Sequence, residues 1–268
     1  MPLILASDVG GTKSYLGLFR ADGDTLEPVA IERYVSTEYA GAAELLTTFV
    51  DHCRQRPDRV VLGVPGPVRH TPVLPVNLPW SIDPVQIAAA LDMGRVFLLN
   101  DLEAAAYGTL ALTDDDVIEI NRGEADPLGA KAIIAAGTGL GEAGLAWADG
   151  HYVAVPSEGG HASFAPGTEL EGELWRWLFE RHGHVSWERV VSGMGLVNIY
   201  EFLRDDRGAG DADVEPDWLR DRLAEQGARA RIISSAAREE GVPLAKEALS
   251  LFVSLYGAEA GNLALKML

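Results

Sequence analysis

The stretch that decides the fold is LILASDVGGTKSYLGLF, residues 3–19. An apolar run over residues 3–7 stops at Asp8, two glycines follow, and a second apolar run begins at Tyr15. Short apolar runs separated by paired glycines are typical of buried strands that are joined by a tight turn. We therefore predict a strand, a glycine turn and a second strand over these residues.

The glycine turn at residues 8–13 has the composition of a phosphate-binding loop. Paired glycines let backbone N–H groups approach a phosphate closely, because no Cβ stands in the way. The hydroxyl of Thr12 adds a donor, and the carboxylate of Asp8 is placed to hold Mg²⁺, directly or through water. The turn is not a Walker A loop, and a hairpin turn with a capping aspartate remains the alternative. The candidate nucleotide-binding residues here are Asp8, Gly10, Gly11, Thr12 and Lys13.

The elements that follow predict a mixed α/β fold. Apolar runs predict further strands, and stretches with helical periodicity or an alanine-rich composition predict helices. The resulting order, β-β-β-α-β-α-β-α, is typical of a sheet with helices on its faces. Further strands are predicted at 29–35, 60–64 and 96–99, and helices at 39–55, 84–92 and 102–112.

A second glycine turn, GTGLG at residues 137–141, follows a predicted strand at 132–136. Extended to Gly144 it matches the dinucleotide-binding pattern, but that fold needs a helix next, and residues 143–155 predict a hairpin about Asp149-Gly150. We therefore interpret it as a second phosphate-binding turn. One such turn in each half indicates two lobes that hold a nucleotide tail. The candidate residues are Gly137, Thr138 and Gly139.

Helices dominate the rest of the chain. A capping-box spacing at Thr168 predicts a helix that ends near Arg181, and from Ser186 onward the sequence is mostly helical. Residues 208–217 predict a polar, acidic loop. We expect two domains, a small N-terminal lobe over residues 1–110 and a large C-terminal lobe over residues 111–268.

Asn100 and Asp101 stand at the carboxyl end of a predicted strand, where a helix begins. A carboxylate in this position points into the cleft of an α/β sheet. A general base that deprotonates an alcohol is one interpretation of Asp101. An N-cap is the other, because Asn and Asp are favoured at that position.

The turn SEGGH, residues 157–161, groups a carboxylate with an imidazole. Its glycines force a bend that presents Glu158 and His161 on one side, where they can accept from and donate to the vicinal hydroxyls of a polyol. A metal site is a weaker alternative, because the sequence lacks a histidine motif or a cysteine cluster. Glu188 falls in the first turn of a predicted helix capped by Ser186, where the helix dipole alone favours a carboxylate.

Composition narrows the class of protein. The 268 residues are 47% hydrophobic and 23% charged, which is typical of a packed globular protein. The net charge of −18 disfavours nucleic acid or an anionic membrane as a partner. Cys53 is the single cysteine, so an internal disulfide is excluded, and its place on an apolar stripe predicts a core thiol. Since no apolar run approaches the roughly 20 residues of a membrane helix and no signal peptide is recognised, we expect a cytoplasmic protein.

Together the motifs resemble those of bacterial ATP-dependent glucokinase, a sugar kinase of the hexokinase–actin superfamily. The motifs described above come in the family's order, and three further stretches match it. They span nearly the whole chain, so the joint signal is strong although each motif alone is weak. The further stretches are GHVS at 183–186 followed by ERV at 188–190, SGMGLVN at 192–198, and GNLAL at 261–265.

The resemblance implies two RNase-H-like lobes that close around glucose, with Mg²⁺–ATP as the cosubstrate. Asp101 matches the family's catalytic base, which takes the proton of the glucose 6-hydroxyl, and the two glycine turns match its phosphate loops. A homodimer is also expected. The residues that match the family's glucose contacts are Asn100, Glu158, His161 and Glu188, together with Asp101.

The sequence also departs from its relatives. A related repressor-and-kinase branch carries a cysteine-rich zinc site, which a chain with one cysteine does not support. Lys13 stands where some bacterial glucokinases have asparagine, and whether it reaches a phosphate is open. Family members continue past the position of Leu268 with a glycine turn for adenosine, so we expect this sequence to lack that part and to bind adenosine badly. Another hexose, polyphosphate as the donor, or a non-catalytic sugar-binding module remain alternatives.

Overall fold

The structure is a computed structural model that describes residues 1–23, 25–75, 78–124, 126–206, 215–225 and 227–267. Residues 208–214 of the predicted polar loop lie outside the described residues. The first half of the described chain has the predicted order of strands and helices. Its elements are β1 (Leu3–Val9), β2 (Lys13–Asp22), β3 (Thr25–Val35), α1 (Ala42–Cys53), β4 (Arg59–Val64), α2 (Pro84–Ala90), β5 (Phe97–Asn100) and α3 (Asp101–Gly108).

The five strands of the first half form one sheet in the order β3-β2-β1-β4-β5. β2 pairs antiparallel with β1 and β3, whereas β4 pairs parallel with both β1 and β5. Parallel neighbours leave their carboxyl ends at the same edge of a sheet. The residues that follow β1 and β5 therefore share one edge.

The spacing of apolar residues explains how α1 packs on this sheet. α1 buries Leu45, Leu46 and Phe49, which recur at helical spacing. Cys53 ends the helix, packs against the same apolar core and is partly buried. Burial, followed by the negative charge of Glu32, raises the pKa of the Cys53 thiol. The thiol therefore belongs to the packing and lacks the lowered pKa of a reactive cysteine.

The second half has a smaller sheet, with strands in the order β6-β7-β8, followed by helices. Asp149 and Gly150 join β7 to β8 with positive φ angles of 50° and 81°, the conformation of a tight hairpin turn. A hairpin therefore follows the second glycine turn, as predicted. The elements are β6 (Lys131–Ala136), β7 (Leu140–Ala148), β8 (His151–Ser157), α4 (Glu169–His182), α5 (Gly193–Asp206), α6 (Asp217–Ala224), α7 (Arg229–Arg238) and α8 (Pro243–Lys266).

α4 begins and ends close to the predicted positions. The Glu171 N–H donates to the hydroxyl of Thr168 at 3.3 Å, which makes Thr168 the N-cap. The carboxylate of Glu171 accepts from Gly167 at 2.6 Å, so it reaches one residue further than a capping box requires. Gly183 ends the helix with a φ of 71°, a conformation that glycine adopts at little cost.

The helix predicted to begin at Ser186 is wrong. The segment forms a single 3₁₀ turn, Trp187–Arg189, and the side chain of Ser186 makes no cap hydrogen bond. α5 begins later, where the Gly195 N–H donates to the hydroxyl of Ser192 at 3.0 Å. The serine that caps a helix here is therefore six positions further along the sequence than the predicted one.

The chain divides into two compact units, each with an apolar core of its own. The first unit comprises residues 1–127 and 148–156, and the second comprises residues 128–147 and 157–268. The core of the first unit is built on β1, β2, β4 and α1, and that of the second on α4, α5, α7 and α8. The lobe boundary after residue 110 stays a prediction.

α8 is a long apolar helix that packs against α5 and α7. The helix has 24 residues, and an 18-residue window within it has a mean hydropathy of 1.2, so it is long and apolar enough to cross a membrane. Of that window, 22% is buried. The core helix of a soluble protein passes the same test, so a single such helix is weak evidence. α8 also buries the carboxylate of Glu259 completely. The helix does not indicate a membrane protein.

Candidate active site

The first glycine turn is fixed by its own backbone and by Ser36. The Gly10 N–H donates to the carbonyl of Lys13 at 3.1 Å, and a Cβ at Gly10 would lie 2.7 Å from that carbonyl oxygen, so only glycine fits. The Ser36 hydroxyl donates to the Gly10 carbonyl at 2.7 Å, and the Ser36 N–H donates to the carbonyl of Thr12 at 3.0 Å. The side chains of Thr12 and Lys13 are exposed. The turn is thus rigid and open to solvent at its tip.

Two carboxylates share one edge of the first sheet. Asp8 lies near the end of β1, and Asp101 opens α3 directly after β5. Partial burial, followed by the negative charge of Asp101, raises the pKa of Asp8. Gly63 of β4 lets the start of α3 pack closely on the strand, because a Cβ there would lie 3.1 Å from the Cβ of Ala104 and 3.9 Å from the Cα of Asp101. The structure therefore brings together the predicted base and the predicted magnesium ligand.

Asn100 forms the N-cap of α3. Its carboxamide oxygen accepts from the N–H groups of Leu102 at 2.9 Å and Glu103 at 3.4 Å, and the Glu103 carboxylate accepts the Asn100 N–H at 3.2 Å. Its amide nitrogen donates to the carbonyl of Gly66 at 3.2 Å. The capping interpretation of Asn100 is confirmed. A sugar contact from this residue would have to use its second amide hydrogen.

The second glycine turn is anchored to the start of α5. The Gly137 N–H donates to the carbonyl of Gly139 at 2.8 Å, and the Gly193 N–H donates to the carbonyl of Gly137 at 2.8 Å. The Leu140 N–H donates to Oε2 of Glu188 at 3.1 Å. A Cβ at Gly139 would overlap the same carboxylate oxygen, so a larger residue there would displace the Glu188 side chain. Glu188 therefore touches the turn directly.

The three predicted sugar-binding residues of the second unit lie in a row. Nε2 of His161 is 3.8 Å from Oε2 of Glu158, and Nδ1 of His161 is 4.0 Å from Oε1 of Glu188. The side chains of Glu158 and His161 are 73% and 65% exposed, whereas that of Glu188 is 24% exposed. The exposed side chains of Glu158 and His161 therefore lie beside Glu188, which is mostly buried and accepts a hydrogen bond from the Leu140 N–H. The row also joins the glycine turn, because Glu188 contacts Leu140.

The SGMGLVN stretch, residues 192–198, holds the turn that carries Glu188. The hydroxyl of Ser192 donates to the carbonyl of Glu188 at 2.7 Å, and the side-chain amide of Asn198 donates to the carbonyl of Arg189 at 2.9 Å. A Cβ at Gly195 would lie 2.5 Å from the carbonyl carbon of Val190, so this glycine lets α5 pack against the turn. The stretch is thus structural support for a site residue.

Sequence reasoning missed Glu142, which is buried beside the 157–161 turn. A carboxylate inside the small and apolar strand segment GLGEAGL was a signal, because charged residues are rarely buried without a partner. Among the described residues, no group of three or more acidic, histidine or cysteine side chains is arranged to hold a metal ion.

The fold places the chain among the sugar kinases. The crystal structure of a glucokinase from an Antarctic psychrotroph matches with a TM-score of 0.82 and 26% identity, over 100% of this chain and 80% of that one. A ROK family glucokinase from Streptomyces griseus shares the fold, with a TM-score of 0.63 and 21% identity over 99% of this chain and 80% of that one.

Sequence comparison identifies the family within that class. A glucokinase from Nostoc sp. is 37% identical over 282 residues, which cover 100% of this chain and 82% of the relative. A glucokinase from Saccharophagus degradans is 35% identical over 266 residues, which cover 98% of this chain and 78% of the relative. The family model for glucokinase matches residues 5–268. The chain belongs to the glucokinase family, so the resemblance drawn from the motifs is confirmed.

Proposed function

We propose that this protein transfers the γ-phosphate of ATP to the 6-hydroxyl of glucose and releases glucose 6-phosphate. The match of the glucokinase family model over residues 5–268 carries the proposal. Two features of the structure support it: Asp8 and Asp101 lie at one edge of the first sheet, and Glu158, His161 and Glu188 lie side by side in the second unit.

Asp101 serves as the general base. It opens α3 directly after β5, at the sheet edge that also carries Asp8, where a carboxylate can accept the proton of an alcohol. The Leu102 N–H donates to Oδ1 at 2.9 Å and fixes the orientation of the group. As the sugar hydroxyl attacks phosphorus, its proton passes to Asp101, so an alkoxide never has to form free in solution.

Asp8 is the residue that would hold magnesium. The pair it forms with Asp101 concentrates negative charge, which a divalent cation relieves. When bound, Mg²⁺ neutralises charge on the phosphates during transfer. The N–H groups that are not already hydrogen-bonded within the two glycine turns, with the hydroxyls of Thr12 and Thr138, would donate to the phosphate oxygens. Lys13 is exposed at the edge of the first turn and is a candidate for the same task.

Glucose is held by hydrogen bonds to Asn100, Glu158, His161 and Glu188. The carboxylates accept from sugar hydroxyls, and the imidazole accepts from one or donates to one, according to its tautomer. Glu188 is fixed by the Leu140 N–H, whereas Glu158 and His161 are exposed and free to adjust to the ligand. Sites that hydrogen-bond hydroxyls discriminate strongly against sugars that lack them or present them differently.

The experiment that tests the proposal is a coupled assay with a panel of hexoses, run with ATP and separately with polyphosphate. We expect turnover with glucose and ATP and much lower kcat/KM for other hexoses. Turnover with polyphosphate alone, or a preference for another hexose, would replace the proposed substrates. Glucose binding without turnover under any donor would instead define a sugar-binding module.

A Glu158→Gln variant is expected to raise the KM for glucose by roughly tenfold while kcat changes little, because a neutral amide is a weaker acceptor than a carboxylate. The side chain is 73% exposed, so the fold should be unaffected. Steady-state kinetics with glucose as the varied substrate measure the effect. An unchanged KM would exclude Glu158 from the sugar site.

Three broader features belong to the same proposal. The two-lobed arrangement, with lobes at 1–110 and 111–268, follows from the family resemblance, and closure of the lobes around the sugar keeps water from ATP. A cytoplasmic enzyme at the entry of glycolysis and a homodimer are the corresponding cellular role and assembly.

A further inference from the structure

Glu142 is a buried acidic residue to which the proposed reaction gives no task. It is the third residue of β7, it is 2% exposed, and it pairs across the sheet with Ile134 of β6. Within the described part of the chain, neither of its carboxylate oxygens accepts a hydrogen bond. An ionised carboxylate in such a place has lost its hydration without replacement, so its neutral form is favoured.

The neighbouring acid, Glu259 of α8, is in the opposite situation. It is fully buried, but its two oxygens accept from the side-chain amide of Asn262 at 2.9 Å and from the ammonium of Lys266 at 3.2 Å. Glu259 is therefore the ionised member of the pair. A proton on Glu142 lets this residue donate a hydrogen bond to Glu259, whereas two ionised carboxylates side by side have no donor between them.

The other side of Glu142 supports the sugar-binding turn. A Cβ at Gly159 would overlap Oε2 of Glu142, so the backbone of Gly159 rests directly on this carboxyl group. Gly159 follows Glu158 and begins the 3₁₀ turn that ends at His161. The position of both sugar-binding side chains therefore depends on what lies beneath Gly159.

We propose that Glu142 is a positioning residue for the sugar site, which supports the turn in its protonated form and loosens it when it ionises. In the protonated form the carboxyl group donates to Glu259 and stays in place under Gly159. After ionisation, two buried negative charges repel each other, and Glu142 moves away from Glu259 toward the turn. This inference rests on the proposed function, because it assigns Glu158 and His161 to glucose.

The direction of the pH effect follows from the surroundings of Glu142. Burial, followed by the negative charge of Glu259, raises the pKa of Glu142 to about 7, while the charge of Lys266 acts in the opposite direction. Because the folded-state pKa lies above the ordinary value of 4.5, the stability tied to this proton is complete below that value and is lost as the pH rises through about 7. The charged groups that act on Glu142 are Glu259 and Lys266, both of α8.

The test compares the wild-type protein with Glu142→Gln, which copies the neutral form at every pH. Glucose affinity is measured by calorimetry and thermal unfolding by fluorescence, from about pH 6 to about pH 8.5, the range in which the group titrates. We expect wild-type affinity to weaken roughly five-fold over this range, the effect of losing about one hydrogen bond, and the unfolding temperature to fall. Both trends should be largely removed in Glu142→Gln.

Glu259→Gln provides the second arm and decides the matter if Glu142→Gln does not fold. Removing the charge of Glu259 should move the midpoint of both profiles to lower pH. Flat wild-type profiles, profiles that Glu142→Gln leaves intact, or a midpoint that Glu259→Gln does not move would each overturn the assignment. The unfolding profile needs no sugar, so it still reports the Glu142 proton if the protein proves to phosphorylate no glucose.

Discussion

An Asp101→Ala variant is expected to fold normally, to bind glucose, and to lose turnover by roughly 10²- to 10⁴-fold, the range attributed to a positioned general base. The fold should survive, because the Leu102 N–H that donates to Asp101 also donates to the side chain of Asn100. The cap of α3 therefore persists. The coupled assay gives kcat, and calorimetry with glucose gives the affinity.

Glu103→Gln is the matched control for Asp101→Ala. It removes a second carboxylate from the same helical turn, but its amide oxygen can still accept the Asn100 N–H that Glu103 accepts at 3.2 Å. We expect turnover within about twofold of the wild type and a loss of stability of about 0.5 kcal/mol. Retained turnover in Asp101→Ala would remove Asp101 from the chemistry, and equal losses in both variants would indicate damage to α3 alone.

Gly160→Ala is expected to destabilise the protein by about 1–3 kcal/mol and to weaken glucose binding at least tenfold. A Cβ at Gly160 would overlap the carbonyl oxygen of Leu140. This carbonyl belongs to β7, in register with Ala136 of β6, so it has no rotamer through which it can give way. The turn must move instead, and it carries Glu158 and His161. Thermal or denaturant unfolding and glucose calorimetry measure the two effects.

Gly172→Ala is the control for Gly160→Ala. Gly172 lies inside α4, and a Cβ there would meet no atom within 4 Å. Alanine restricts the unfolded chain without strain in the helix, so we expect a gain of about 0.4–1 kcal/mol and unchanged glucose binding. If Gly160→Ala behaves like Gly172→Ala, the turn does not need a glycine at that position and the proposed support from β7 is wrong.

Local sequence signals predicted the parts of the molecule that local chemistry controls. The apolar runs at 3–7 and 60–64 predicted strands, and the glycines of the first turn predicted a bend that Gly10 does require. Asn100 was recognised as a possible cap because capping depends on residues within the same helical turn. The predicted roles of the site residues stay predictions until they are tested by substitution.

The features that sequence analysis missed depend on residues far apart in the chain. Glu142 has its unusual environment because Glu259, more than a hundred residues later, packs beside it, and no pattern in the sequence pairs the two. The helix predicted after Ser186 is limited to one 3₁₀ turn for a different and more local reason. The side chains of Ser192 and Asn198, four and nine residues ahead, donate to the carbonyls of Glu188 and Arg189, and these contacts override the capping signal.

Glu188 contacts two parts of the candidate site in the second unit, the second glycine turn and His161. One carboxylate oxygen accepts the Leu140 N–H beside the glycine turn, and the other lies 4.0 Å from the imidazole of His161. A ligand that displaces the second glycine turn therefore moves Glu188 relative to His161, and a ligand that moves His161 affects the turn through the same carboxylate. If the turn holds the nucleotide and His161 holds the sugar, as we propose, thermodynamic linkage makes the effect of each ligand on the affinity for the other equal in free energy.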